Sequence, residues 1–179
     1  WVVLLAAGIV FYSALQAPHL LAALAVVCVQ TYYCGLWLRR VESEARRRTL
    51  FRCAVLANVL VLVCVRYIPF LTGNLNSLLG YLGLGAAIPV PEAIVSVGVS
   101  FYVFQAISYL SDVYLETAEP EPHLGHFALY LAFFAKLLQG PIERAGDLLP
   151  QLKAPAEFSY QAARSGLFLF ATGLFKKVA

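Results

Sequence analysis

Four polar residues in an otherwise apolar segment have a spacing that could place chemistry on one helix face. Gln105, Ser108, Tyr109 and Asp112 lie at i, i+3, i+4 and i+7, so a helix would carry all four on one side. Polar groups inside apolar runs are costly and usually face the interior of a helix bundle. This polar face could line a water-filled or substrate-filled tunnel, or it could form hydrogen bonds between packed helices. The spacing alone leaves both interpretations open.

Histidine is the usual general base in transfer reactions, and the chain contains three. His19 lies at a predicted helix entrance, whereas His123 and His126 lie in a loop and at a predicted helix start. None lies deep in an apolar run with a carboxylate or amide at helical spacing. We therefore do not expect any of the three to act as the base. The motifs of serine hydrolases, zinc proteases and P-loop proteins are also absent from the sequence.

The cysteines Cys28, Cys34, Cys53 and Cys64 all lie in apolar runs, and no two of them form a CxxC pair. A zinc or redox site therefore has little support, and we predict no metal. Small buried hydrophobic side chains are the simpler interpretation.

The composition indicates the environment of these residues. Of 179 residues, 61% are hydrophobic and 13% are charged, and the mean hydropathy is +0.76. Soluble domains carry roughly 25% charged residues, and a single soluble core of this length would leave many apolar side chains facing water. The sequence therefore predicts an all-α, polytopic transmembrane protein.

A helix needs about 20 apolar residues to cross the hydrocarbon core of a bilayer. Both ends of the sequence lie in apolar runs, so we expect a longer protein of which these residues form one integral membrane region. The predicted spans are 1–15, 20–38, 53–71, 93–111, 124–138 (short or re-entrant) and 166–179 (incomplete).

The charge is concentrated in one loop. Arg39 to Arg48 holds five Arg and two Glu, which accounts for the net charge of +3. The positive-inside rule places this loop in the cytoplasm and returns the acidic loop Asp112–Glu121 to the same side. The side of the membrane on which residues 140–164 lie stays open. Basic residues are not interleaved with aromatic ones elsewhere, so we predict no nucleic acid partner.

From Pro89 onward the order of motifs becomes specific. The series consists of GVSFYVFQAISY at 98–109, DVY at 112–114, FF at 133–134, QGPIER at 139–144, LLPQL at 148–152 and GLFKK at 173–177. It resembles the bacterial branch of the membrane-bound O-acyltransferases, which includes alginate O-acetyltransferases and teichoic-acid D-alanyl transferases. The resemblance is strong from Pro89 to Ala179, whereas the segment from Phe11 to Leu71 is only compatible with this family.

This resemblance implies an enzyme of the bacterial inner membrane. Such a protein moves an acyl group, often acetyl, from a cytoplasmic thioester donor to a hydroxyl acceptor, here expected to be an extracytoplasmic polysaccharide. The donor, acetyl-CoA or an acyl carrier, is a substrate, and no bound cofactor is expected. The implied partners are the lipid bilayer, the polysaccharide and other cell-envelope acetylation proteins. The catalytic His of the family is expected beyond Ala179, so residues 1–179 alone are expected to be inactive.

Two basic segments of the motif series are expected at turns or helix ends. Gly140 and Pro141 would end a helix and force a turn, after which Arg144 could bind helix C-terminal carbonyls or an anionic donor group. Lys176 and Lys177 could mark a membrane edge or contact donor phosphates. Two other classes remain open, namely a transporter or flippase and a non-catalytic membrane scaffold. A transporter should show a matching second set of spans.

Overall fold

A computed structural model describes residues 1–14, 18–83, 98–133, 136, 143–154 and 159–178. In these ranges the chain forms helices and no strand, which confirms the predicted all-α class. Seven helices have described bounds: α1 (Val2–Ala14), α2 (Pro18–Arg40), α3 (Glu44–Tyr81), α4 (Val99–Tyr114), α5 (Leu124–Ala132), α6 (Ala145–Lys153) and α7 (Tyr160–Val178).

Two of the helices have the length and composition of membrane spans. Leu20–Arg40 in α2 and Glu44–Tyr67 in α3 are both long and apolar enough to cross a bilayer, and α1 is a shorter apolar helix. These helices agree with the predicted helical membrane class.

Helix α3 is longer than the predicted span 53–71. It contains 38 residues, or about 57 Å, which exceeds the ~30 Å hydrocarbon core. A hydropathy pattern detects only the apolar centre, whereas residues 44–52 continue the helix with good helix formers. Glu44 in the first turn also suits the positive end of the helix dipole.

Three other boundaries differ from the prediction. Helix α5 ends at Ala132 rather than continuing to 138, because Phe133 has an extended backbone with φ −63° and ψ 104°. Helix α6 was not predicted, and α7 begins at Tyr160 rather than at 166. Helix α5 has nine residues, about 14 Å, and is too short to cross a bilayer by itself.

Helix α4 is the centre of the fold and packs against α2, α3 and α5. Close approach depends on glycine at two contacts. A Cβ atom at Gly35 of α2 would lie 2.9 Å from the Tyr109 ring of α4. A Cβ atom at Gly8 of α1 would lie 2.5 Å from the backbone oxygen of Ala132. Larger side chains at either glycine would therefore push the helices apart.

Buried polar side chains join α2 to α3. Asn58 Nδ2 donates to Thr31 Oγ1 at 3.2 Å and to the backbone oxygen of Ala54 at 3.0 Å. Gln30 Nε2 donates to the same Ala54 oxygen at 3.0 Å. Such interhelical bonds satisfy polar groups that would otherwise be stranded in an apolar environment.

Ion pairs join the loop that follows α4 to the last turn of α2 and the first turn of α3. Arg39 binds Glu119 at 3.0 Å, and Arg47 binds Glu116 at 2.6 Å. Arg47 also donates to the backbone oxygen of Tyr114 at 2.7 Å. The arginine-rich loop and the acidic loop therefore lie at the same end of the bundle.

The cysteine prediction was only partly right. Cys28 is buried and Cys34 is half-buried, but Cys53 and Cys64 are exposed on α3. The physical reason is that α3 turns only one side toward α2 and α4, so an apolar run there does not imply burial inside the protein.

Candidate functional site

The polar face of α4 points toward α5 at its centre. Gln105 is 2% exposed, and its Nε2 donates to the backbone oxygen of Tyr130 at 3.1 Å. This bond joins the middle of α4 to α5. An amide at this position therefore holds the two helices in register.

Tyr109 makes the second contact between α4 and the segment that follows it. Its side chain is fully buried, and its hydroxyl accepts the backbone N–H of Glu121 at 3.0 Å. The ring centroid lies 4.7 Å from that of Phe127 and 6.5 Å from that of Tyr130. Tyr109 thus sets the position of both the loop and the first turns of α5.

Asp112 lies at the C-terminal end of the polar face. It is 7% exposed, and its backbone oxygen accepts the N–H of Thr117 at 3.0 Å. Its Oδ1 lies 3.5 Å from Nη1 of Arg144, the residue that immediately precedes α6. Because the Arg144 side chain is 68% exposed, this long contact is weak.

The structure therefore brings one end of the polar face close to Arg144, the residue before α6. Gln105 and Tyr109 form hydrogen bonds between elements, and Ser108 is half-buried. The tunnel-lining role of the polar face stays a prediction. Arg144 contacts a carboxylate, and its role as a donor contact also stays a prediction.

The remaining predicted site residues lie apart from this junction. Lys176 and Lys177 are exposed in the last turn of α7, where basic residues suit the negative end of the helix dipole. Gly140 and Pro141 lie outside the described residues. In the parts of the chain that the structure describes, no group of His, Cys, Asp and Glu could hold a metal ion.

Sequence reasoning missed the residue that joins the most elements, Glu121. Its side chain is 3% exposed, and its Oε2 lies 2.5 Å from Nζ of Lys153 in α6. Its Oε1 accepts the backbone N–H of His123 at 3.3 Å and lies 3.4 Å from Nδ1 of His126. Because the backbone N–H of Glu121 also donates to the Tyr109 hydroxyl, Glu121 connects α4, α5 and α6. We call these five residues the Glu121 hub.

No signal in the sequence singled out Glu121 among the acidic residues of its loop. Glu116 and Glu119 belong to the same loop but have exposed side chains. The burial of Glu121 follows from how α6 packs on α5, and no local pattern encodes that packing.

Both described histidine side chains have structural contacts. His123 is the N-cap of α5, where its Nδ1 accepts the backbone N–H groups of Gly125 at 3.1 Å and His126 at 3.4 Å. An imidazole nitrogen that accepts in this way carries no proton. The Trp1 ring packs edge-on against both imidazoles, with centroids 5.3 and 5.4 Å apart. These contacts account for both rings without a catalytic role.

Two buried tyrosine hydroxyls stand out because they have no hydrogen-bond partner among the described residues, those of Tyr12 and Tyr102. Both side chains are fully buried. Tyr102 lies three residues before Gln105 and extends the polar face by one turn. A buried hydroxyl without a partner costs about 1–3 kcal/mol, so a further hydrogen-bond partner at either position would be stabilising.

An apolar cavity of 370 Å³ lies between α1, α2 and α5 and is separate from the polar face. Its lining includes Leu5, Leu24 and Ala128, and none of the four residues of the polar face contributes to it. The cavity therefore does not serve as the predicted polar tunnel.

Comparison with known proteins tests the resemblance. The chain is 32% identical to a probable alginate O-acetylase AlgI of Azotobacter vinelandii, over 98% of this chain and 35% of the relative. It is 27% identical to a peptidoglycan O-acetyltransferase of Helicobacter pylori, over 99% of this chain and 37% of the relative. It is 32% identical to a probable alginate O-acetylase AlgI of Pseudomonas aeruginosa, over 98% of this chain and 33% of the relative.

The chain thus spans about a third of the length of the curated relatives that it matches. No family model matches it, and no solved structure matches it. The resemblance found in the motifs is nevertheless confirmed across nearly the whole chain: these residues are homologous to one portion of the membrane-bound O-acyltransferases of the alginate and peptidoglycan O-acetylase type.

Proposed function

We propose that the complete protein transfers an acetyl group from a cytoplasmic thioester to hydroxyl groups of an extracytoplasmic polysaccharide. The observation that carries this proposal is the alignment of 98% or more of the chain with O-acetylases named for two different polymers, alginate and peptidoglycan. Acetyl transfer to a hydroxyl is common to both names, whereas the polymer is not. We therefore propose the reaction and the class of acceptor, without choosing the polymer.

The reaction sets what the protein has to provide. The acceptor oxygen attacks the thioester carbonyl, its proton passes to a general base, and the C–S bond breaks to release the donor thiol. A water-poor passage protects the thioester from hydrolysis while donor and acceptor approach from opposite sides. A bundle of apolar helices with a few inward-facing polar groups suits this task.

We assign a supporting role to residues 1–179 and place the base outside them. His123 caps a helix and His126 lies beside Glu121, so neither of the two histidine side chains that the structure describes offers a free, oriented imidazole. The contribution of this part of the protein would be part of the passage wall. In that wall, Gln105 and Tyr109 fix α5 against α4, and the half-buried Ser108 would face the substrate. The buried Tyr102 hydroxyl, which has no hydrogen-bond partner among the described residues, would bond to it.

The basic residues would contact the donor. Acetyl-CoA carries phosphates, and an acyl carrier carries a phosphopantetheine arm, so either donor presents anionic oxygen to the cytoplasmic side. Arg144 is 68% exposed, so its guanidinium would be able to exchange the Asp112 carboxylate for a phosphate of the donor. Lys176 and Lys177 would serve in the same way from the end of α7. The complete protein would be a multi-pass protein of the bacterial inner membrane and would work with other envelope acetylation proteins.

The test uses the complete protein in membrane vesicles with a labelled acetyl thioester and an acceptor polysaccharide. Replacing the histidine of an apolar segment outside residues 1–179 by Ala should abolish transfer of label. Replacing His123 by Asn, which can also cap a helix, should leave transfer largely intact. Loss of transfer in the His123 variant at unchanged protein level, with retention in the other variant, would contradict the assignment of the base.

The same vesicles distinguish the alternative of a transporter. A transporter would move the acceptor across the membrane without forming an ester, and a scaffold would do neither. Labelled ester that forms only with the intact protein supports transfer chemistry and excludes both alternatives.

A further inference from the structure

The first turns of α3 carry arginines that have no acidic partner. Arg39 and Arg47 are paired with Glu119 and Glu116. In contrast, Arg46, Arg48 and Arg52 are exposed, and within the described part of the chain they form no ion pair or hydrogen bond through their side chains. Unpaired guanidinium groups therefore remain at the start of this helix.

An exposed apolar stripe continues from two of these arginines along the same face of α3. Arg48, Arg52, Leu56, Val59 and Val63 lie at i, i+4, i+8, i+11 and i+15, which keeps them on one side of the helix. The side chains of Leu56 and Val63 are 68% and 39% exposed. The helix thus presents two positive charges at one end of an apolar surface that the other described residues leave exposed.

A shallow, mostly apolar groove lies beside this face. It has a volume of 470 Å³ and is lined by Ala45, Arg46, Thr49, Leu50 and Cys53. Its position places the third unpaired arginine, Arg46, next to an apolar floor. The groove and the stripe together place basic groups beside an exposed apolar surface, which is the polarity of a lipid headgroup with its chains.

We propose that this surface binds an anionic phospholipid. The phosphate would accept hydrogen bonds from the guanidinium groups of Arg48 and Arg52, which are suited to bidentate contact, and the acyl chains would lie along the apolar stripe. Charge complementarity favours this occupant. A neutral lipid would leave the arginines unpaired, and a soluble phosphate compound would leave the stripe uncovered. The proposal does not depend on the acetyl-transfer reaction.

The test measures lipid binding to the complete protein, purified in a neutral detergent. Phosphatidylglycerol and phosphatidylcholine are titrated separately and bound lipid is counted by native mass spectrometry. We expect the wild type to prefer phosphatidylglycerol, and the double variant Arg48→Gln/Arg52→Gln to bind it roughly thirtyfold more weakly, from about five- to sixfold for each basic residue. Both residues are exposed, so the variant should fold, and unchanged phosphatidylcholine binding checks this.

Two control variants and one competitor make the result specific. Glu42→Gln removes an exposed carboxylate from the loop before α3, and Arg164→Gln removes an exposed arginine from α7. Both variants should keep phosphatidylglycerol binding. The proposal is overturned by equal affinity for the two lipids, by a loss in Arg164→Gln as large as in the double variant, or by displacement of the lipid by coenzyme A. The last result would assign the arginines to a soluble phosphate compound instead.

Discussion

Replacing Glu121 by Gln tests whether the Glu121 hub holds α6 against the rest of the bundle. The change preserves the size of the side chain and its ability to accept the N–H of His123, but it removes the negative charge that faces Lys153 at 2.5 Å. The Lys153 ammonium then has to find water or remain beside a neutral amide. We expect the free energy of unfolding to fall.

The magnitude follows from the burial of the two partners. Breaking a fully buried ion pair costs about 3–5 kcal/mol, whereas exposed pairs contribute about 0–1 kcal/mol. The Glu121 side chain is 3% exposed, but that of Lys153 is 40% exposed, so solvent screens the pair and the ammonium can rehydrate by a small movement. We therefore expect a loss of roughly 1–2 kcal/mol, between the two limits.

The assay is reversible unfolding of the complete protein in mixed detergent micelles. Glu42→Gln is the matched control, because it makes the same chemical change at an exposed carboxylate and should stay within about 0.5 kcal/mol of the wild type. A double-mutant cycle with Lys153→Gln should give a coupling energy of about 1 kcal/mol. Equal stability of the Glu121 and Glu42 variants, or a coupling energy near zero, would refute the structural role given to the hub.

Three further changes test the packing and the polar face. Gly35→Ala places a methyl group 2.9 Å from the Tyr109 ring and should cost about 1–3 kcal/mol in the unfolding assay, whereas Gly73→Ala, which meets no atom within 4 Å, should be neutral or stabilising. Gln105→Leu removes the bond to the Tyr130 oxygen and should cost about 1–2 kcal/mol; no loss would show that this bond does not hold α5. Tyr102→Phe removes a hydroxyl without a partner among the described residues, so stability should stay the same or rise while acetyl transfer falls. Lower stability with full transfer would contradict a substrate-facing hydroxyl.

Features that depend on local pattern were predictable from the sequence. The apolar run that ends at Arg39 and Arg40 predicted a membrane span at 20–38. The observed helix α2 is longer by about two residues at each end. The spacing of Gln105 and Tyr109 placed them correctly on one face of a helix. The motif series from Pro89 onward gave the resemblance that the relatives confirm.

Features that depend on packing between elements were not predictable. Helix α6 has nine residues and contains Pro150, so it is too short for a membrane signal and includes a residue that is unfavourable inside a helix. The partner of Gln105 is a backbone oxygen 25 residues away in the sequence. The burial of Glu121 depends on the position at which α6, which carries Lys153, packs against the bundle. Cys53 and Cys64 lie in an apolar run that faces outward, because membrane helices are apolar on the lipid side as well as in the core.

The central claim is that the complete protein forms an ester between a sugar hydroxyl and an acetyl group that enters as a thioester. Its most direct test supplies thioester labelled in the acetyl carbonyl carbon on the cytoplasmic side of sealed vesicles and examines the polysaccharide on the other side by NMR. We predict a labelled O-acetyl ester on the polymer, formed only in vesicles that contain the intact protein. Unlabelled polymer, despite active protein-dependent movement of polysaccharide across the membrane, would contradict the account.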